Sequence, residues 1–411
     1  MSILTSKHIL LAVTGSIAAY KAADLASKLT QAGALVDVIL TPAAEKFVTP
    51  LTFQSVTGRK AFTDADLWGG EAHVLHVGLG QGADLLVVAP ATANTLAKMA
   101  HGLADNLATI TALAARCPIL VAPAMDVGMF EHPATQENVR ILCGRGVYFA
   151  GPDEGRMASG LVGRGRFVEP AELLGHIRLT LGFGGKLAGK KIVVTAGGTQ
   201  EPLDPVRVLT NRSSGKQGYA LAQAALDAGG TVVLVAAPTA LTPPVGARVV
   251  AVRTAEEMKE AVLAESAGAE ALVMAAAVAD FRPKQVAGNK LKKRDGIPQI
   301  ELEAAPDVLL AVASTRLGAG AGMRSRKPRI VIGFAAESRD LIGNAESKLQ
   351  SKNLDMIVAN DISAPDAGFG VDTNRVTLLF ADGRKISLPL MGKDEAAEAV
   401  IEHLAALLET Q

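Results

Sequence analysis

The chain is poor in several things at once. Of its 411 residues only two are cysteine, Cys117 and Cys143. They form no CxxC pair and cannot build a disulfide scaffold, which points to a reducing, cytoplasmic setting. There is no excess of charge either, with 41 Lys and Arg against 41 Asp and Glu. That balance excludes attachment to nucleic acid or an anionic membrane by bulk charge, and leaves only local basic patches to consider. No uncharged apolar stretch reaches the roughly 18 residues of a membrane span. The apolar run from Ile9 to Val13 breaks at Thr14-Gly15-Ser16, short of the roughly 7–15 residues of a secretory leader. A soluble cytoplasmic protein is expected. Metal-site spacing is also missing: the seven histidines show no HxxxH or HExxH arrangement with carboxylates. His73 and His76 are near enough to share a helix face, but read by default as surface residues.

What is present is apolar material and repetition. Apolar residues make up 49% of the chain, enough for a sizeable core and against intrinsic disorder. At roughly 100–200 residues per domain, this length predicts two or three domains. One start occurs twice: residues 7–15 read KHILLAVTG and residues 190–198 read KKIVVTAGG. Each is a basic residue and an unbroken apolar run ending in Thr and Gly, followed by a helical pattern. Unbroken runs of this kind are what parallel strands covered on both faces look like. Between the two starts, LGFGGKLAG (181–189) reads as a Gly-rich linker. The expected division is a domain at 1–180, the linker at 181–189 and a second domain at 190–411.

In the first domain, strands are expected at 8–13, 35–40, 84–89, 118–122 and 147–150, with helices at 17–32, 93–115, 133–144 and after Pro170. In the second, strands are expected near 191–195, 231–236, 248–252, 271–276, 329–334 and 355–359. VTLLF (376–380) and KISLPL (385–390) flank Asp382-Gly383 as a β-hairpin, and a last amphipathic helix covers about 393–409. The fold class is α/β, two doubly wound and mostly parallel-sheet domains, with ligands expected at the carboxyl ends of the strands.

Several strand ends carry polar or small residues. TGSIAAYK (14–21) opens a helix after the first strand, where exposed N–H groups suit a phosphate. It is not GxGxxG, and a tight structural turn explains it equally well. APATANTLAKMAHGLADN (89–106) and VAPAMDVGMFEHPAT (121–135) are two further strand ends of this type, and together the three favour a cofactor site. In the second domain, AGGTQEPLDPVRVLTNRSSGKQG (196–218) follows the first strand. Its Ser213 and Ser214 are in place to cap the next helix. Gly215-Lys216 does not complete a Walker A motif, because position 210 is Thr. MAAAVADFRPK (274–284) ends a buried strand on Ala275, Ala276 and Ala277 and then Asp280, a natural metal or nucleotide partner. Residues 282–294 then carry Arg282, Lys284, Lys290, Lys292, Lys293 and Arg294 without an acidic residue. They read either as a solvated loop or as a triphosphate clamp. Lys348 and Lys352 are four apart, on one helix face.

These segments make the chain resemble the bifunctional coenzyme A biosynthesis family that joins a phosphopantothenoylcysteine decarboxylase to a phosphopantothenate–cysteine ligase. The resemblance covers nearly the whole length, in order. It rests on TGSIAAYK, APATAN, LADN, PAM and GPDEG in the first half, and on TAGGTQEPLDPVR, NRSSGKQG, AAAVADFR, KLKK, GFAAE and KNLDMIVAND in the second. The resemblance implies a ligase that uses CTP and Mg²⁺ to turn the 4′-phosphopantothenate carboxylate into an acyl-cytidylate, which the cysteine amine attacks. Asn211 and Lys290 match residues supporting that step. Asp280, assigned to the metal, and Lys290, Phe334, Lys348 and Lys352 match the CTP site, as do Ala275–Ala277 and the APDVL segment (Ala305, Pro306, Asp307, Val308, Leu309). The resemblance likewise implies an FMN-dependent decarboxylase. Gly15, Ser16, Thr41, Ala91, Thr92 and Asn94 match flavin contacts, and His76 matches a catalytic histidine. Small-molecule substrates, no nucleic acid or membrane partner, flavin-domain trimers and ligase-domain dimers are implied too.

Two positions depart from the family pattern. Pro-x-Met-Asn reads Pro123-Ala124-Met125-Asp126, and Ala-Cys-Gly of the flap reads Ala158-Ser159-Gly160. An ionised Asp126 cannot donate to a substrate carboxylate, and a serine hydroxyl is a far weaker acid than a thiol of pKa about 8.5. Like charges about 4 Å apart repel by roughly 1–4 kcal/mol across effective dielectrics of about 80 down to 20. The ligase is therefore expected to be intact and the decarboxylase weakened, stalled or rebuilt around other groups. The alternative is a ligase whose flavin domain is a non-catalytic FMN-binding module for oligomerisation or regulation. A nicotinamide-dependent dehydrogenase is disfavoured, since neither first turn carries GxGxxG.

Overall fold

The computed structural model describes residues 2–68, 74–318, 328–337, 340–361 and 371–410. His73 lies outside the described residues. The chain separates into two compact units, Met1–Gly182 and Phe183–Gln411.

The first unit runs β1 (His8–Val13), α1 (Ala19–Gln31), β2 (Leu35–Leu40), α2 (Pro50–Thr57), β3 (Ala61–Phe62), α3 (Leu75–Gly82), β4 (Leu85–Ala91) and α4 (Ala93–His101). It continues through α5 (Leu107–Ala114), β5 (Ile119–Pro123), α6 (Val127–Glu131), α7 (Pro133–Gly144), β6 (Tyr148–Phe149), β7 (Asp153–Arg156), β8 (Val162–Arg166) and α8 (Pro170–Gly182). Strands β1 to β6 form one parallel sheet in the order β3-β2-β1-β4-β5-β6. The winding reverses between β1 and β4, and their carboxyl ends form the crevice where such sheets take ligands. The packing explains the unbroken apolar strand. Leu11 and Val13 face a cluster containing Leu25 and Leu29 of α1 and Ile177 of α8, whereas Leu10 and Ala12 face Leu96 of α4 and Leu142 of α7. Each Leu or Val removed from water contributes about 1.5–3 kcal/mol, so neither face tolerates a polar residue.

The helix expected over 93–115 is two helices. Gly102 closes α4 at φ +70°, and Asn106 opens α5 by accepting the Thr109 N–H at 2.9 Å. A left-handed glycine and a side-chain cap are strong stop and start signals inside one apolar period. The Gly-rich stretch at 181–189 is largely folded: α8 reaches Gly182, and Leu187 is fully buried with its N–H on the Ala228 carbonyl at 2.7 Å.

The second unit runs β9 (Lys191–Ala196), β10 (Gln200–Pro202), β11 (Val208–Thr210), α9 (Lys216–Asp227), β12 (Thr231–Ala236), β13 (Arg248–Ala251), α10 (Ala255–Ser266), β14 (Ala271–Met274), β15 (Phe281–Pro283) and β16 (Leu302–Ala304). Then come α11 (Val308–Gly318), β17 (Ile330–Glu337), α12 (Leu341–Ser351), β18 (Met356–Asp361), β19 (Thr373–Asn374), β20 (Val376–Phe380), β21 (Lys385–Ser387), β22 (Met391–Gly392) and α13 (Lys393–Thr410). The main sheet has the order β13-β12-β9-β14-β17-β18-β20-β21. It is parallel through β18, and β20 and β21 add as an antiparallel hairpin. The hairpin's second strand stops at Ser387, ahead of Pro389, which has no N–H to give a ladder. Val193, Val235 and Leu272 pack on Met258 and Val262 of α10 and Val312 of α11, while α9 and α13 cover the other face. This sheet also reverses its winding, between β9 and β14.

Candidate active sites

In the first unit the reversal point is built on hydroxyls and close packing. Thr14, at the end of β1 and 1% exposed, donates to the Pro90 carbonyl at 2.7 Å and accepts the Thr92 N–H at 3.1 Å. One buried side chain thus ties the β1 and β4 ends together. Thr92 caps α4 by accepting the Thr95 N–H at 3.3 Å, leaving Asn94 exposed in the first turn. Ala91 is fully buried, and Thr41 is nearly so, with its N–H on the Val13 carbonyl at 3.1 Å. Gly15 is required by space, since a Cβ there would stand 2.4 Å from the Cβ of Ala43. The next helix, α1, has no side-chain cap and no acidic residue in its first turn. The Ser16 oxygen accepts the Ala18 N–H at 3.3 Å, which leaves its hydroxyl proton to give, and with the remaining first-turn N–H groups this donor set fits a flavin phosphate.

Two other predicted residues meet at the end of β5. Asp126 caps α6, its Oδ1 accepting the Gly128 N–H at 3.2 Å, and its Oδ2 accepts the Ser159 Oγ–H at 2.5 Å. His76 is half-buried on α3.

The second unit opens a cavity of about 780 Å³ at its reversal point. The backbone around it is held by β9 and the turn that follows it. Ala276 donates to Thr195 Oγ1 at 3.0 Å, Ala277 to the Gly197 carbonyl at 2.8 Å and Ala279 to Thr199 Oγ1 at 2.9 Å. For that reason the strand expected over 271–276 ends at Met274, and Ala275–Ala277 become cavity wall. Asn211 lines the same wall, its amide donating to the Val278 carbonyl at 3.1 Å. Pro306, Asp307, Val308 and Leu309 line the cavity with Phe334, and Ala305 and Asp280 also border it. Lys348 donates to the Phe334 carbonyl at 3.2 Å, and Lys352 pairs with Asp307. Burial pushes the Asp307 carboxyl up, but the Lys352 bond, the Leu310 N–H and the Lys348 charge outweigh it and leave its pKa below the ordinary value.

The helix α9 points its first turn at this cavity. Gly215 occupies the cap position at φ +77°, and the two serines reach the helix start only by long bonds, Ser213 Oγ accepting the Gly215 N–H at 3.4 Å and Ser214 Oγ the Lys216 N–H at 3.5 Å. The first turn of this twelve-residue helix, Lys216 to Gly218, lines the cavity, with the Lys216 N–H held by Ser214. Sequence reasoning passes over three further groups here. Lys393, 8% exposed at the start of α13, lines the cavity beside Lys216, which pairs with Asp372 at 2.5 Å. Burial and then the Lys216 charge push the Lys393 ammonium below its ordinary pKa, with Asp372 acting the other way. Asn374 donates to Gln217 Oε1 at 2.7 Å, and the buried Oδ1 of its neighbour Asn360 has no hydrogen-bond partner among the described residues. Only the fold brings 216, 360, 374 and 393 together, so no local spacing announces them.

The basic run at 282–294 is not gathered into one clamp. Arg282 pairs with Glu303 at 2.8 Å, and Lys284 reaches Glu301 at 3.5 Å across the β15–β16 ribbon. Lys290 is exposed and does not line the cavity. The loop that carries it is tethered by buried Asp204, which accepts the Leu291 N–H at 3.1 Å and pairs with Arg207 at 2.7 Å. Among the described residues, no three His, Cys, Asp or Glu side chains gather as a metal site, and the cavity is bordered by two carboxylates, Asp280 and the Lys352-paired Asp307. No helix of the described residues is long and apolar enough to cross a membrane.

Two doubly wound α/β units, one with a helix N-terminus over a neutral strand end and the other with a cation-lined cavity, define a two-site protein of the α/β class that takes ligands at the carboxyl ends of its strands. Residues 2–181 match the Flavoprotein family model, and residues 187–408 match the DNA/pantothenate metabolism flavoprotein C-terminal domain. The chain is 44% identical over 407 residues to the coenzyme A biosynthesis bifunctional protein CoaBC of Bacillus subtilis, covering 98% of both chains. It is 44% identical over 412 residues to that of Mycobacterium tuberculosis H37Rv, covering 98% of this chain and 97% of the relative. The chain belongs to this bifunctional coenzyme A biosynthesis family. Among solved structures, the C-terminal domain of a CoaBC protein aligns at 38% identity and TM-score 0.46, over 56% of this chain and 100% of its own. The FMN binding protein AtHal3 aligns at 34% identity and TM-score 0.39, over 42% of this chain and 96% of its own.

Proposed function

We propose that the chain carries both reactions named for its family: ligation of 4′-phosphopantothenate with cysteine in the second unit, and decarboxylation of the product in the first. The cavity at the β9–β14 reversal carries this reading. It sets a helix N-terminus and four lysines (216, 348, 352 and 393) around one space, which is the chemistry a nucleoside triphosphate needs. CTP is assigned as the nucleotide. The orphan Asn360 oxygen accepts a donor, and cytidine offers hydroxyl and amine donors. Asp280 fits Mg²⁺, an ion commonly held by one or two carboxylates and the triphosphate itself. Asn211 orients the acyl group on the wall formed by Ala275–Ala277, and Lys290, on the loop tethered by Asp204, supports acyl-cytidylate formation and turnover.

In the first unit, Gly15, Ser16, Thr41, Ala91, Thr92 and Asn94 would hold FMN, with the phosphate at the α1 N-terminus. FMN supplies the redox chemistry that makes loss of CO₂ possible. His76, Asp126 and Ser159 are assigned to the substrate side, where His76 exchanges protons and Asp126 and Ser159 shape the pocket. The assembly is proposed to be a homo-oligomer, flavin units in trimers and ligase units in dimers; exposed Ile17, Tyr20 and Leu51 on the first unit support such contacts. The test is a pair of separate assays on the purified chain. Pyrophosphate should be released from CTP only with 4′-phosphopantothenate, and CO₂ from 4′-phosphopantothenoylcysteine only with bound FMN. Absence of the first removes the ligase reading, and absence of the second removes the decarboxylase reading.

A further inference from the structure

The hairpin β7–β8 lies on the end of β5, and its base and tip are held very differently. At the base the backbone makes the contact. Met125 donates to the Gly165 carbonyl at 3.0 Å, and Cβ atoms at Gly163 and Gly165 would stand 2.7 Å from Val127 and 2.3 Å from the Met125 carbonyl oxygen. No side chain fits between these elements, so the base is docked by close approach. The tip turns tightly, with the Gly160 N–H on the Met157 carbonyl at 3.0 Å, and its apolar residues are not packed: Leu161 is 52% and Val162 70% exposed. Among the described residues, the side-chain tie recorded from the tip to the rest of the unit is Ser159 Oγ to Asp126 Oδ2 at 2.5 Å.

We propose that Asp126 and Ser159 form one latch that holds the hairpin tip over the carboxyl end of the sheet. Ser159 is a positioning residue acting through Asp126. The carboxylate is an acceptor only, with one oxygen committed to the α6 N–H and the other to the serine, so the hydroxyl proton points at Asp126 and away from any ligand. The Ser159 oxygen then offers only lone pairs, and the closed latch favours a ligand group that donates a hydrogen bond there. The two departures from the family pattern are therefore one coupled change. Removing either the hydroxyl or the carboxylate leaves the other side chain without this charge-assisted partner. The role in substrate closure rests on the decarboxylase reading above, whereas the latch itself does not.

The test is amide hydrogen exchange on the full chain, without ligand, in Ser159→Ala, Asp126→Asn, the double variant and Ser159→Thr. Loss of a charge-assisted bond at an exposed site predicts exchange at 157–162 about tenfold faster in Ser159→Ala. Asp126→Asn should move the same amides, the double should be no faster than the faster single, and Ser159→Thr should stay near the parent chain. kcat/KM for decarboxylation should show the same non-additivity. Unchanged exchange in Ser159→Ala, multiplying effects in the double, or acceleration spreading to α7 overturns the latch. Loss of decarboxylation in the parent chain, with the exchange pattern intact, removes the decarboxylase reading and leaves the latch standing.

Discussion

The two units share one plan and differ in the charge at its centre. Each winds its sheet outward from a central pair of strands, β1 and β4 or β9 and β14, and presents a helix N-terminus to the crevice. At the β1 and β4 ends of the first unit the placed groups are neutral, namely Thr14, Gly15, Ser16, Thr41, Thr92 and Asn94, and the carboxylate of Asp126 stands after β5. At the second, Asp280, Asp307 and four lysines border the space. The contrast teaches that the winding supplies a place for a ligand, and the side chains after the strands decide how much charge that ligand carries. A neutral, tightly packed end suits a group held by backbone N–H donors. A cation-lined cavity suits a polyanion.

The strongest way to break this comparison is to make a change in one unit that the other should not feel. Asn211→Ala removes the amide facing the cavity wall and should lower ligase kcat about a hundredfold, the scale of losing an oriented donor. CO₂ release by the first unit should be unchanged in separate assays. Gly15→Val places atoms where Ala43 already stands. Overpacking costing about 1–3 kcal/mol predicts roughly ten- to hundredfold weaker FMN binding, read as flavin absorbance after purification, with CTP turnover retained.

Charge gives a subtler test. The pKa of Asp307 is lowered in the fold, so its contribution to stability is present above the unfolded carboxylate pKa of about 3.9 and is lost as pH falls through the lower folded value. Denaturant melts of Asp307→Asn should therefore lose less stability than the parent on acidification below about pH 4, with the difference confined to the second unit's transition. The smallest effect is structural. Asn106→Ala removes the cap that starts α5 and should cost about 1 kcal/mol, visible as a lower Tm for the first unit while leaving ligase kcat and KM alone. Should any of these changes cross between units at full size, the division into two independent sites fails.

Much of this was legible in the sequence. Strands covered on both faces announce themselves as unbroken apolar runs, and β1, β2 and β12 have the boundaries expected of them. Asp280 past a strand and Lys348 and Lys352 on one helix face were visible as residues, Asn211 and Phe334 came through the resemblance, and all five border the cavity. The less legible parts depend on distance in sequence. The run at 282–294 read either as a solvated loop or as a clamp, because the partners of Arg282 and Lys284, Glu303 on β16 and Glu301 just before it, come alongside only when the ribbon folds. Lys393 is 177 positions from Lys216, yet the two ammonium groups share one electrostatic environment. Asp126 and Ser159 each stood out alone, and nothing in their spacing of 33 residues says that they touch.

The sequence by itself determined the two-unit α/β plan, the absence of bulk charge and the small set of strand ends where chemistry is placed, because apolar period and turn residues act locally. The tertiary structure alone decided which cations face the cavity, that the Asn360 oxygen there has no partner among the described residues, and that the serine of the hairpin tip closes on the aspartate after β5. Burial, ion pairing and hydrogen bonding are set by neighbours in space, and the chain does not state those neighbours until it is folded.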